Sequence, residues 1–180
     1  MCQCIFIFFF NDTATPGIYP LSLPGALPVL WVEPEMVNPD SDLYRAHPDW
    51  VLNFPGRQRS EGRNQLVLNL ARDDVKAYVT DALDKLLAEN DIQFLKWDYN
   101  RNWSEPGWPQ MTPDEQQKVY VAYVRNLYDI FRHLCERHPG LEIEACSGGG
   151  ARFDLGVMAL PDEVWPSDNT APSDRLSIQD

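Results

Sequence analysis

From Leu30 onward the chain alternates short apolar runs with longer amphipathic stretches. The run VLWVEPEM (29–36) is apolar and then turns charged, which predicts a strand leaving the core for a loop. Ile92 to Trp97, LEIEAC (141–146) and EVWPSDN (163–169) repeat that profile, and NQLVLNL (64–70) reads as a short strand or extended segment. Between them, residues 73–90 place Val75, Tyr78, Val79, Leu83, Leu86 and Leu87 at steps of three and four, the period of a helix with one buried face. A second helix is predicted from Thr112 to about His138, with Val121, Val124, Leu127, Tyr128, Phe131 and Leu134 along its stripe. TPDE (112–115) reads as a capping box, with Pro113 at the first helical position, and Pro139-Gly140 stops the helix. Residues 37–62 and 99–111 read as long polar loops, SGGG (147–150) as a tight turn, and 151–158 as a short helix. Strands separated by helices imply βαβ units and a parallel sheet, so the fold class is α/β. Strands that exit into long, chemically loaded loops point to part of a (β/α)8 TIM barrel, with a doubly wound sheet as the alternative.

Residues 1–29 break the pattern. MCQCIFIFFF is apolar but has no basic lead, which makes it a poor signal peptide. The stretch that follows has proline or glycine every few residues and neither a helical nor a strand period. From Asn11 to Val29 it resembles the conceptual translation of a synthetic sequencing adapter. It departs only at Pro16, Gly17, Pro20, Pro24, Gly25 and Val29, each one base change away. Residues 1–29 are therefore expected to be a non-native, unstructured lead-in, and residues 30–180 to be the part that folds.

Composition narrows the function classes. At 44% hydrophobic, the chain has enough apolar residues to bury a core. A net charge of −12 argues against a nucleic-acid partner, which needs clustered Lys and Arg. No apolar run approaches the ~20 residues of a membrane span. Four cysteines with no C-x-x-C pair and three histidines argue against a zinc site, and such sparse cysteine suits a reducing compartment. Six Trp and seven Tyr are compatible with core packing or with platforms for sugar rings.

The candidate chemistry lies at the strand ends. Trp31 and Glu33 end the first strand, and Arg63 follows the long loop. Lys96, Asp98 and Asn100 end the next strand, then Cys146, Ser147 and Gly148, then Trp165 and Asp168. In a barrel, Asp98 and Asp168 converge across one mouth. Two facing carboxylates among tryptophans and hydrogen-bond donors suit glycoside hydrolysis. Lys96 and Arg63 are expected to keep Asp98 ionised by charge pairing. The plainer readings are a helix or turn cap for each Asp, a surface pair for Lys96 and Asn100, and a small core residue for Cys146. SGGG lacks a phosphate-loop signature and is expected to let backbone approach a ligand closely.

Five stretches in series, LWVEPEMVNPDSDLYRAHPDWVL, GRNQLVLNLA, FLKWDYNR, ACSGGGARFD and WPSDNTAPSDRLSIQ, resemble bacterial α-galactosidases of glycoside hydrolase family 36 over residues 30–180. The resemblance implies a retaining α-galactosidase acting on melibiose- and raffinose-type sugars. Asp98 would be the nucleophile and Asp168 the acid/base. Arg63, Lys96 and Asn100 would bind galactose hydroxyls, Trp31 would line the pocket, Cys146 and Gly148 would sit beside the sugar, and Trp165 near the acid/base. It calls for no metal or organic cofactor. A full-length form would be a cytoplasmic homo-oligomer whose partner is a small α-galactoside. Transfer in place of hydrolysis, an α-N-acetylgalactosaminidase, and a galactoside-binding protein without turnover are the neighbouring readings. Ala171 and Ala151 depart from the family's usual residues and bear on substrate preference. Only strands resembling the third to sixth of the eight are present, so the polypeptide alone is expected to be an inactive, aggregation-prone fragment.

Overall fold

The computed structural model describes Cys4–Phe6 and residues 29–178. Five parallel strands form one sheet: β1 (Cys4–Phe6), β2 (Val29–Val32), β5 (Phe94–Trp97), β6 (Glu142–Ala145) and β7 (Glu163–Val164), in that spatial order. A separate antiparallel pair, β3 (Met36–Val37) and β4 (Leu66–Val67), sits in the β2-to-β5 connection with a short helix α1 (Asp42–Ala46). The crossovers are α2 (Asp73–Glu89) and α3 (Lys118–Arg137), and α4 (Pro172–Ile178) follows β7. Parallel strands joined through helices, with an open edge at each end of the sheet, are the expected portion of a barrel.

Strand register sorts the side chains into two layers, because successive residues face opposite sides of a sheet. Trp31, Lys96 and Glu144 stand in one row, as do Val32, Trp97 and Ala145. The second row, with Leu30, Leu95 and Ile143, is buried. It shares one core with Val75, Val79, Leu83 and Leu87 of α2 and Tyr123, Leu127, Ile130, Phe131 and Leu134 of α3. The Trp97 and Phe131 rings meet at 4.8 Å. The first row therefore faces the barrel interior, and so do the next residues of matching parity, Glu33, Asp98 and Cys146.

Several expectations change. NQLVLNL holds a short strand as expected, β4, paired in the small sheet, while the long 37–62 loop holds α1 and a 3-10 turn at Pro48–Trp50. The α3 stripe is rotated: Val119 and Tyr123 are buried while Val121 is 53% exposed. Tyr123 turns inward because its hydroxyl donates to the buried Glu35. TPDE makes a 3-10 turn, Pro113–Glu115, and α3 starts only at Lys118. The Thr112 hydroxyl donates to the Glu115 carboxylate, so no capping box forms. Residues 151–158 hold only the start of a 3-10 turn at Val157–Ala159. Cys4–Phe6, expected to be unstructured, forms β1 beside β2, and Val29 opens β2; residues 1–3 and 7–28 of the lead-in lie outside the described residues.

Candidate active site

Asp98 follows β5 directly, at the interior-facing parity, and is 6% exposed. Its backbone N–H still bonds to the Val32 carbonyl, so the sheet fixes its main chain before the loop begins. Oδ2 accepts from Trp31 Nε1 at 3.1 Å and from Asn100 Nδ2 at 2.7 Å. Oδ1 accepts from the Tyr99 backbone N–H at 2.8 Å. Burial pushes the Asp98 carboxyl up, but donors from Asn100, the Cys146 thiol, the Tyr99 N–H and Trp31 outweigh it, and the group is held below its ordinary range. Every donor is neutral. The expected charge pairing with Lys96 and Arg63 is replaced by hydrogen bonding.

Lys96 is interior-facing, but its ammonium pairs with Glu144, directly across from it on β6. It also lies 4.4 Å from the centre of the Trp165 ring. The guanidinium of Arg175 in α4 lies 4.7 Å from the same ring. Trp165 Nε1 donates to Asp168 Oδ1 at 2.9 Å, and Asp168 itself is exposed. Trp165 is anchored in turn by its backbone N–H on the Ala145 carbonyl. The structure thus gathers Trp31, Asp98, Asn100 and Cys146 into one cluster and Lys96, Trp165 and Asp168 into a second. β5 carries Lys96 and leads into Asp98, so it contributes to both, and β6 lies between β5 and the β7 strand that leads to Trp165 and Asp168.

Arg63 stands apart on the rim, in a two-residue turn where Arg63 and Asn64 both adopt left-handed backbone (φ 57° and 56°). It lines a cleft of about 590 Å³ with Asn100, Arg101, Trp103, Gly148 and Arg152, and neither Asp98 nor Asp168 lines that cleft. Gly148 takes φ 56° and lies against the Asn100 side chain. Cys146 is 4% exposed with a free thiol; burial and then the Asp98 charge push that thiol up to about 11, so it acts as a neutral donor.

Three acidic residues have roles that the sequence did not announce. Glu33, 4% exposed, accepts from Asn100 Nδ2 at 2.6 Å and Gln65 Nε2 at 2.7 Å, so it aims the amide that holds Asp98. Glu144 is signalled by its place opposite Lys96, once the strands are aligned. Glu35, 0% exposed, accepts from Trp97 Nε1, Tyr123 Oη and Arg152 Nη1 on the helix side of the sheet. That network joins the β2 loop to α3 and to the loop after β6, and no sequence spacing announces it. Among the described residues no cluster of His, Cys, Asp or Glu could hold a metal, and no helix is long and apolar enough to cross a membrane.

Asn100→Ala removes the largest stabilising donor of the Asp98 carboxylate, so the titration midpoint of that carboxyl moves up towards neutral pH. Carboxyl 13C shifts of the labelled chain measure it; an unchanged or lower midpoint contradicts the assignment.

The model of the melibiase family matches residues 26–180. The chain is 47% identical over 150 residues to α-galactosidase AgaA of Geobacillus stearothermophilus, covering 83% of this chain and 21% of that protein. It is 43% identical to α-galactosidase 1 of Pediococcus pentosaceus, with 83% and 20% covered. Its fold is similar to the crystal structure of a substituted GH36 α-galactosidase AgaA in complex with raffinose, with a TM-score of 0.82, 45% identity, and 86% of this chain and 22% of that one covered. An α-galactosidase from Lactobacillus brevis gives 0.82 at 37% identity, with 86% and 21% covered. The chain spans about a fifth of the length of the curated relatives it matches.

Proposed function

We propose a function from one premise: the chain belongs to the melibiase family, glycoside hydrolase family 36. Residues 30–180 are the central part of the catalytic barrel of a retaining α-galactosidase that hydrolyses terminal α-galactosyl groups of raffinose-type oligosaccharides. The observation that carries this reading is the setting of Asp98: a buried carboxylate, held ionised and oriented by neutral donors alone. A cation paired to it would share the electron density that attack requires. Neutral donors fix direction and leave the anion free to react.

In the first step an Asp98 oxygen attacks the anomeric carbon from the β face. The bond from that carbon to the leaving oxygen breaks with its electron pair, and Asp168 transfers its proton to that oxygen. In the second step Asp168, now a carboxylate, takes a proton from water. The water oxygen bonds to the anomeric carbon and Asp98 leaves as carboxylate, so α configuration is retained. Trp31 forms a wall of the sugar site, and Trp165 holds the acid/base. Lys96, Asn100, Arg63, Cys146 and Gly148 contact the galactose. The raffinose and stachyose complexes of the related G. stearothermophilus enzyme support the substrate class. Cys135 and Cys146 are free thiols, which supports a reducing compartment, the cytoplasm, for a full-length homo-oligomer.

The reading is tested by exchanging the matching segment of the G. stearothermophilus enzyme for residues 30–180 of this chain. Proton NMR of early products from an aryl α-galactoside then shows α-galactose first, mutarotating later. β-Galactose first contradicts a retaining site.

A further inference from the structure

The glycine run after β6 does more than admit a ligand at Gly148. β6 and β7 pair in register, Glu144 with Glu163 and Ala145 with Val164, and the Trp165 N–H extends the ladder to the Ala145 carbonyl at 2.9 Å. Beyond that point two loops run side by side, 147–150 and 166–168. A Cβ built on Gly150 stands 2.9 Å from the Pro166 carbonyl oxygen, and one on Gly149 stands 3.0 Å from Ser167 Cα and 3.4 Å from the Asp168 nitrogen. Each obstacle is backbone, which cannot swing aside as a long side chain does. Gly149 also takes φ 86°, so a side chain there is strained whatever the space. Gly150 is not among the positive-φ glycines, so only its contact with Pro166 forbids a side chain.

We propose that Gly150 is a positioning residue for the acid/base: its missing side chain sets how closely the 166–168 loop approaches β6, and so where the Asp168 carboxyl stands relative to Asp98. This rests on the reading of Asp168 as acid/base. Two anchors place that carboxyl. One is the Trp165 indole, whose N–H donates to it and whose ring is contacted by Lys96 at 4.4 Å and Arg175 at 4.7 Å. The other is the backbone contact at Gly150. A methyl group there pushes the Pro166 carbonyl outward by a few tenths of an ångström, and Asp168 follows two residues later while the indole stays. Asp98, on β5 and bonded to Val32, Trp31 and Asn100, does not move with it.

The experiment is Gly150→Ala in the exchanged enzyme, assayed on two substrates that differ in their need for a proton. Melibiose needs the acid to release its leaving sugar; α-galactosyl fluoride releases fluoride without one. Small misplacement of a catalytic group costs rate steeply, so kcat/KM on melibiose falls about 10- to 100-fold. On the fluoride it changes less than about threefold, because its leaving group needs no general acid. The second step does use Asp168 as base, so kcat on the fluoride falls while kcat/KM holds; azide, which attacks without a general base, raises that kcat again and yields α-galactosyl azide. Equal losses on both substrates, or no loss on melibiose, overturn the proposal. If the single variant does not fold, Gly150→Ala with Pro166→Gly frees the obstructing carbonyl to move and is read by the same two substrates. Asp168→Ala run alongside separates the failures. If it shows no dependence on leaving group, the assignment of Asp168 fails; if it does and Gly150→Ala does not, Gly150 alone is wrong.

Discussion

Asp98→Ala in the exchanged enzyme lowers kcat by about 10⁴-fold or more, which is upwards of ~5 kcal/mol of transition-state stabilisation. The size follows from the chemistry: no other side chain in the cluster can form the covalent intermediate. Asn100 is an amide, Trp31 an indole, and the Cys146 thiol is pushed up first by burial, which the substitution leaves in place. The variant keeps its fold, because removing a buried carboxylate also removes its desolvation cost, and the strand ladder through Val32 does not involve the side chain. The hole left by the carboxylate admits azide, which attacks from the same face and gives β-galactosyl azide from an activated substrate. Asp168→Ala with azide gives the α anomer, because Asp98 is then still the first attacker. Opposite anomers from the two variants is the expected pattern. Turnover in Asp98→Ala within tenfold of the parent, or the same azide anomer from both, removes the assignment.

Glu35→Ala destabilises the chain by about 3–5 kcal/mol, the usual cost of breaking a buried ion pair from one side. Glu35 is fully buried and accepts from Trp97 Nε1 at 2.8 Å, Tyr123 Oη at 2.6 Å and Arg152 Nη1 at 2.6 Å. Without it, a guanidinium stacked 4.7 Å from the Tyr99 ring loses its counter-charge, and two buried donors lose their acceptor. Two facts fix the direction of the effect. Burial is the largest influence on the Arg152 guanidinium and pulls it down, but the Glu35 charge and hydrogen bond, with Tyr123 and Tyr99, together leave it raised; the Tyr123 hydroxyl is driven well up, first by its burial and then by the Glu35 charge. Arg152→Leu alone is also strongly destabilising, because it strands the carboxylate. Glu35→Leu with Arg152→Leu costs less than the two single changes added together. Urea midpoints of the four proteins measure this. A Glu35→Ala effect below about 1 kcal/mol, within the range of surface changes, contradicts the network.

How much of this was legible follows the range of each interaction. α2 was readable from Asp73 onward because one apolar stripe, Val75 to Leu87, decides it, and the structure ends it at Glu89. α3 was readable in kind, and Leu127, Phe131 and Leu134 of the expected stripe are buried, but the face was misplaced in its first turns, where Val119 and Tyr123 are buried instead of Val121. Tyr123 is buried for a hydrogen bond to a residue 88 positions away, which no local period encodes. The β-strand ends were legible because apolar runs break into charge there. What stands opposite what was not, since Lys96 meets Glu144 only through the parallel register. The charge argument for Asp98 failed for the same reason. A lysine two residues before it points to the same face of the sheet but is drawn to the neighbouring strand and to Trp165. The glycine run was visible, but its function depends on the 166–168 loop, which sequence does not bring near.

The mechanism turns on Asp98 being the attacking carboxylate of a retaining site. A fluorinated galactosyl fluoride that forms the glycosyl-enzyme quickly and releases it slowly tests it most directly. After incubation with the exchanged enzyme and digestion, mass spectrometry locates the adduct. One fluorogalactosyl group is expected, on the peptide that carries FLKWDYNR, fragmenting to Asp98. An adduct on another residue, or none while the enzyme continues to turn over melibiose, contradicts it.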